Sequence, residues 1–321
     1  MDYNKAFAVF EAHLQKTDLS GRPSELYEPL SYTMSMGGKR IRPALLLMSA
    51  SLFSDSLQNM LDAAVGLELF HNFTLVHDDI MDNAPLRRGK KTVHEKWNRD
   101  IAILSGDVMF VKACQLIAQG GGDKVKEILD VFHHSAILVC EGQQMDMNFE
   151  EEDDVSISQY LEMIEKKTAV LIGCALQMGA ILGGASKEDS EKLYAFGKKI
   201  GIAFQLQDDI LDAFATDQQF GKRIGGDIIS DKKTFLLLKA REMADEKTAD
   251  EIAACRAEQD EAEKVRRMLS VYEKLNIRAS AEDEMKTNFK QGLKILEQVS
   301  ILESKKEQLE ILAKQLMHRS I

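Results

Sequence analysis

The chain has 321 residues, 45% apolar and 29% charged, with a formal charge of −11 at pH 7, enough apolar mass for a large core in a globular, water-soluble protein. The acidic balance argues against a general affinity for nucleic acid or anionic membrane, both of which need basic surface, while leaving room for a locally basic pocket. Only four prolines and a dominance of helix formers predict an all-α fold with no substantial sheet.

The N-terminus, Met1-Asp-Tyr-Asn-Lys-Ala-Phe7, lacks a basic segment followed by an apolar run, so no signal peptide is expected. Cys114, Cys140, Cys174 and Cys255 are scattered among apolar residues, the pattern of reduced core thiols in a cytoplasmic protein.

The first basic feature is Gly37-Gly-Lys-Arg-Ile-Arg-Pro43. Arginine forks grip phosphate oxygens in pairs, lysine adds positive charge, and glycine lets the backbone approach. Leu57, Met60, Leu61, Ala64 and Val65 then open a predicted helix over 57–82, ending in Phe73-Thr-Leu-Val-His-Asp-Asp-Ile-Met-Asp82. His77 is expected to cap or orient Asp78. Five residues on stands Arg87-Arg88-Gly-Lys-Lys-Thr92; taken separately, either basic run also fits a solvated loop or helix cap.

Further helices are predicted over 101–119, 124–149, 158–183 and 187–214. They are divided by Gly120-Gly-Gly122 with Asp123 as N-cap, by the acidic turn 150–154, and by Gly183-Gly184 with Ser186 as N-cap. The longest apolar run, 169–185, is short for a membrane span and contains Gln177, so it reads as a buried core helix. Met145, Met147, Met163 and Met178 read as core filling. The last of these helices ends in Phe204-Gln-Leu-Gln-Asp-Asp-Ile-Leu-Asp212. Its loop, Phe220 to Thr234, carries Gly221, Gly225 and Gly226 with Lys222 and Lys232, which suits a phosphate-covering lid. The tail 248–321 is charged and amphipathic and predicted helical. No Gly-, Ser- or Pro-rich linker interrupts the chain, so a single helical domain over 1–321 is expected.

The repeated Asp-Asp-x-x-Asp carries the chemistry. On a helix, Asp78 with Asp82, and Asp208 with Asp212, share a face about 6 Å apart along the axis. Clustered carboxylates stay ionised only where something positive neutralises them. Mg²⁺ suits them, because it takes a few hard oxygen ligands and keeps positions for water and substrate phosphate. With two basic runs beside it, the pattern points to a metal-diphosphate site.

From residue 30 to 240 the sequence resembles the trans-type isoprenyl diphosphate synthases. The resemblance rests, in order, on Gly37 to Pro43, His71, Asp78 to Asp82, Arg87-Arg88-Gly89, Gly106-Asp107, Gly142-Gln143 with Asp146, Lys167-Thr168, Phe204-Gln205, Asp208 to Asp212, Lys222 and Lys232. It implies a large antiparallel helix bundle around a central hydrophobic cavity, working as a homodimer without stable membrane insertion. It also implies Mg²⁺-dependent head-to-tail condensation of isopentenyl diphosphate with dimethylallyl, geranyl or farnesyl diphosphate. Three Mg²⁺ ions are implied: Asp78 and Asp82 for two and Asp208 for the third, with Asp79, Asp209 and Asp212 as ligands or as groups holding ligands and waters. Arg87, Lys167, Lys222 and Lys232 are implied for the allylic diphosphate, and Lys39, Arg42, His71 and Arg88 for isopentenyl diphosphate. Thr168 and Gln205 would offer oxygen dipoles to the allylic cation.

Within that resemblance the hydrophobic tail of the product runs down the helix ending at Asp78. Phe73 and Thr74, about 7.5 and 6 Å below Asp78 along the axis, are its expected floor and predict farnesyl or geranylgeranyl diphosphate (C15 to C20). Phe70, Leu67 or a helix near Met109 are alternative floors. Rival readings are a longer-chain polyprenyl synthase, a terpene cyclase or head-to-head coupling enzyme, and a non-catalytic regulatory subunit.

Overall fold

Helix boundaries fall where local chemistry stops or starts a helix. A computed structural model of the chain describes residues 1–215 and 225–318. In order the elements are α1 (Tyr3–Leu14), α2 (Ser24–Ser35), α3 (Ile41–Ala50), α4 (Leu61–Met81), the strands β1 (Leu86–Arg87) and β2 (Lys90–Lys91), α5 (Val93–Lys96), α6 (Arg99–Gly120) and α7 (Val125–Glu151). There follow α8 (Ile157–Ile164), a π-helical turn Glu165–Ala169, α9 (Val170–Gly183), α10 (Lys187–Phe214), α11 (Gly226–Ile229), α12 (Phe235–Met243), α13 (Glu246–Arg256), α14 (Glu261–Lys274), α15 (Ile277–Glu297) and α16 (Glu303–His318). The all-α expectation holds, and so do the five long predicted helices, with the fourth broken by the π turn.

The Ser186 hydroxyl accepts from the Asp189 N–H at 3.0 Å, the N-cap the sequence predicts. Ser156 and Gln159 close a capping box at the start of α8, straight after the acidic turn. Asp123 differs: it lies inside a 3₁₀ turn, Gly122–Lys124, entered by Gly122 at φ +53°.

The chain divides into two compact units. The first comprises Met1–Ser135, Leu171–Ala195 and the stretch from Ile295 onward. Its spine is the antiparallel pair α4 and α6. A Cβ on Gly120 would meet the Ala63 nitrogen at 2.5 Å, one on Gly66 the Ala113 carbonyl at 2.7 Å, and one on Gly106 the His77 ring at 2.3 Å, so glycine sets how closely the helices approach. The apolar run 169–185 forms α9, with Leu171, Cys174, Leu176 and Met178 buried, which bears out the core reading. Among the described residues α6 is the helix long and apolar enough to cross a membrane. Ala102, Met109, Ala113 and Ile117 on its inner side are fully buried, while Ile103, Leu104 and Val111 are exposed.

The second unit comprises Ala136–Val170 and Phe196–Lys294. Its core gathers Phe149, Tyr160, Met163, Leu206, Phe235 and Tyr272. Two expectations need correction. Cys140 is exposed and Cys114 only half-buried, so just Cys174 and Cys255 are core thiols. Met163 and Met178 fill cores, but Met147 is exposed and Met145 half-buried, because α7 turns that side to solvent.

Candidate active site

In the first unit α4 delivers its aspartates at its C-terminal end, where Asp82 is the C-cap. Asp79 is buried, Asp78 half-buried and Asp82 exposed. The Arg87 guanidinium donates to Asp79 Oδ1 at 2.7 Å and to Asp78 Oδ2 at 3.3 Å. Burial pushes the Asp79 carboxyl up, against the hydrogen bond and charge of Arg87. Burial disfavours the Arg87 cation, but Asp79, Asp78 and Asp82 outweigh this and raise it above its ordinary value.

Arg87 and Arg88 stand where β1 turns into β2. Leu86 pairs Lys91 and Arg87 pairs Lys90, so Arg88 and Gly89 form the turn, at φ +53° and +73°. Two successive positive φ values are what a type I′ hairpin needs. The Arg88 guanidinium donates to the Gly37 carbonyl, and a Cβ on Gly38 would meet that guanidinium at 2.7 Å. The loop 37–40 and the hairpin are thereby brought together.

Beside them, Arg42 Nη1 donates to His71 Nε2 at 3.1 Å. Burial, then the charges of Arg42 and Arg88, hold the His71 ring well below its ordinary value, so it stays neutral and Nε2 accepts. Burial pushes Arg42 down to about 10, with Glu68 opposing. Arg42 Nε is a buried donor with no acceptor, a group left free to bond a water or an anion. Lys39 belongs to the same loop, its carbonyl accepting from the Tyr3 hydroxyl at 2.5 Å.

Two residues take roles the sequence left open or misread. His77 does not orient Asp78: its Nε2 faces the Ile103 carbonyl at 3.2 Å and Asp107 at 4.0 Å on α6. Gly106 makes room for that ring, which explains the Gly106-Asp107 pair. Phe73 stacks on Phe110 at 5.4 Å, 17° between planes. Phe70 meets Phe73 at 5.5 Å and Phe132 at 5.0 Å. Thr74 spends its hydroxyl on the His71 carbonyl, 2.8 Å.

In the second unit α10 presents the other cluster. Asp209 is buried, accepting from Tyr160 through one oxygen and from Gln205 Nε2 at 3.2 Å through the other. Burial pushes its carboxyl up to about 8. The Thr168 hydroxyl donates to Gln205 Oε1 at 3.3 Å, so one chain of hydrogen bonds runs from Thr168 through Gln205 and Asp209 to Tyr160. Lys167 Nζ lies 2.6 Å from Asp146 Oδ2. Lys167 and Thr168 sit in the π turn, where a Cβ on Gly142 would meet the Lys167 nitrogen at 2.3 Å; π turns inside helices commonly mark functional positions. Asp212 Oδ2 accepts from the Asp227 N–H at 2.9 Å.

Asp146, Lys167, Thr168, Gln205, Asp208 and Lys232 line one cavity of about 450 Å³. Lys222 lies outside the described residues. Tyr160, Glu68 and Phe110 escape the sequence reading, and Arg40 reads there only as part of a basic run, because their significance lies in partners far along the chain.

The polyprenyl synthetase family model matches residues 23–274. The geranylgeranyl diphosphate synthase of Methanosarcina mazei is 45% identical over 223 residues, 69% of each chain. The geranylfarnesyl diphosphate synthase of Natronomonas pharaonis is 40% identical over 239 residues, 69% of this chain and 70% of that one. A crystal structure of a geranylgeranyl pyrophosphate synthase superposes with a TM-score of 0.94 at 41% identity, covering 99% of both chains. The family model spans more than half of the sequence and the relatives share 40% identity or more over two thirds of it, so this chain belongs to the polyprenyl synthetase family.

Proposed function

We propose that the protein is a trans-prenyltransferase that joins isopentenyl diphosphate head to tail to an allylic diphosphate of dimethylallyl, geranyl or farnesyl type, releasing diphosphate. The observation that carries this reading is the Arg42, His71 and Arg88 group, an anion cradle additional to the aspartate clusters. A one-substrate cyclase has no use for a second diphosphate site. A silent subunit has no reason to keep every aspartate together with the Arg42, Arg87 and Arg88 cations.

The donor set fits Mg²⁺. Each cluster offers hard carboxylate oxygens on one helix face, and Mg²⁺ prefers one or two carboxylates completed by water and phosphate. Asp78 and Asp82, and Asp208 with Asp212, would hold the ions, three with substrate bound. The burial of Asp79 against Arg87 and of Asp209 against Tyr160 supports a holding role for those two. Bound Mg²⁺ supplies neutralisation of charge growing on the departing diphosphate.

Arg87, Lys167 and Lys232, with Lys222, add fixed positive charge to that leaving group, so the allylic C–O bond breaks with its electron pair on diphosphate oxygen. Lys39, Arg42, His71 and Arg88 hold isopentenyl diphosphate so that its double bond attacks the allylic carbon and forms the new C–C bond. Thr168 and Gln205 turn oxygen lone pairs toward the cation. A proton then leaves the new tertiary cation for an oxygen of the released diphosphate, restoring a double bond.

Relatives named for geranylgeranyl and geranylfarnesyl products support elongation in the C15 to C25 range, and the rings at Phe73 and Phe110 favour its C15 to C20 part. Chromatography of products from dimethylallyl, geranyl and farnesyl primers tests this. Elongation is expected only with isopentenyl diphosphate and Mg²⁺ together, and no elongation from any primer would refute the reading.

The protein is further proposed to work as a cytoplasmic homodimer through the exposed α6 face of Ile103, Leu104 and Val111, since exposed apolar stripes mark interfaces. Light scattering is expected to give twice the chain mass, and half that for Leu104→Glu. A wild-type monomer would contradict the dimer, and activity confined to the membrane pellet of lysed cells would contradict the compartment.

A further inference from the structure

The loop joining α2 to α3 has an uncommon backbone. Gly37 and Gly38 take φ +76° and +132°, and Arg40, the α3 N-cap, takes φ +47°. Glycine adopts such angles freely, but a side-chain-bearing residue there is strained by about 1 kcal/mol or more and persists only where its surroundings hold it. Arg40 is so held. Its side chain is 1% exposed, and its three nitrogens reach three helices. Nε donates to Glu11 of α1 at 2.9 Å, Nη1 to Glu68 of α4 at 2.8 Å, and Nη2 to the Met34 carbonyl of α2 at 2.6 Å.

The contacts around this anchor all bear on the same loop. Tyr3 of α1 pins the Lys39 carbonyl and Arg88 holds the Gly37 carbonyl. Glu68 is 2% exposed, and its charge is felt by Arg40, Arg42 and Arg88 alike. One buried carboxylate therefore steadies a cluster of like charges that would otherwise repel. Lys39 precedes the anchor and Arg42 follows it by two residues, so the angle at Arg40 fixes where both cations stand.

We propose that Arg40, clamped by Glu11 and Glu68, is a positioning residue for the non-allylic diphosphate, and that the N-terminal helix α1 is thereby part of that substrate's site. Arg40 itself touches no substrate: its side chain is buried and each of its three nitrogens already donates to a protein acceptor. The proposal rests on the prenyltransferase reading above. A lysine at this position has one ammonium where arginine has a three-way fork, so Arg40→Lys keeps the charge and loses the geometry.

The test is the Michaelis constant for each substrate measured separately. Arg40→Lys is expected to raise KM for isopentenyl diphosphate about tenfold, leaving KM for the allylic substrate and kcat at saturation near wild type. Glu11→Gln, at a side chain 29% exposed, should move the same constant the same way by a smaller factor, and it carries the test should Arg40→Lys not fold. A KM for isopentenyl diphosphate unchanged in the folded variants would overturn the proposal. So would both constants rising together with a falling folded fraction, since that is simple destabilisation. Calorimetric titration with inorganic diphosphate in metal-free buffer separates this idea from the reading beneath it. Weaker binding by Arg40→Lys supports the clamp even where wild-type protein fails to elongate any primer, and equal binding refutes it.

Discussion

Asp78→Ala and Asp208→Ala are each expected to lower turnover by about a thousandfold or more, since several kcal/mol of leaving-group stabilisation are at stake and each 1.4 kcal/mol is a factor of ten. Neither change should cost much helix. Asp78 is half-buried, and its link to Arg87 is the longer of that guanidinium's two, 3.3 Å against 2.7 Å to Asp79. Arg87 thus keeps its main partner when Asp78 is truncated. Asp208 lines the 450 Å³ cavity and is also half-buried. Asp79→Ala is a poorer probe: it empties a buried carboxylate position and takes the principal counter-charge from the half-buried Arg87 guanidinium, a loss of about 1 to 3 kcal/mol in stability, so lost activity there mixes folding with chemistry. Initial rates across a Mg²⁺ titration, with circular dichroism on the same samples, decide the matter. Wild-type rates in either variant at saturating Mg²⁺ would remove that aspartate from the metal set.

The contrast between Asp78 and Asp79 shows what a sequence holds and what it withholds. Periodicity and breakers place the helices within a few residues, because apolar spacing and caps are local properties. The i, i+4 spacing of Asp78 and Asp82 is local too. Which aspartate of each adjacent pair is buried is not local: Asp79 turns inward to Arg87 on a hairpin, and Asp209 turns inward to Tyr160, forty-nine residues away. The Arg40 clamp is likewise written in residues 29 and 28 positions apart along the chain. The π turn at Glu165–Ala169 is invisible to a helical pattern, and the helix packed closely on it at Gly142 lies more than twenty residues earlier in the chain. One nonlocal feature was nearly legible. With α4 and α6 antiparallel and Gly106 opposite His77, four residues further along α6 and four back along α4 bring Phe110 opposite Phe73.

On the proposed prenyltransferase reading, that pairing is the floor against which the product stops growing. Phe73→Ala alone is expected to lengthen the main product by no more than one prenyl unit, whereas Phe73→Ala with Phe110→Ala should shift most product at least one unit further. Phe73 lies about 7.5 Å below Asp78 along α4, and Phe70 about 12 Å below, a step of three residues at 1.5 Å each. Removing the first ring opens only that step. Phe110, stacked on Phe73 at 5.4 Å, still projects from the facing helix, and it also touches Phe70 at 5.6 Å. Phe73 and Phe110 are both half-buried, so truncation costs less than the about 3 to 5 kcal/mol of a fully buried phenylalanine. Phe70 and Phe132 are completely buried, and their truncation would confuse a longer tunnel with a weaker fold. Thr74 is a weaker lever than the rings, because its hydroxyl is turned back on the His71 carbonyl and its methyl is small. Chromatography of dephosphorylated products from all three proteins, at equal turnover, measures the shift. An unchanged distribution in the double variant would move the floor of the tunnel away from these rings altogether.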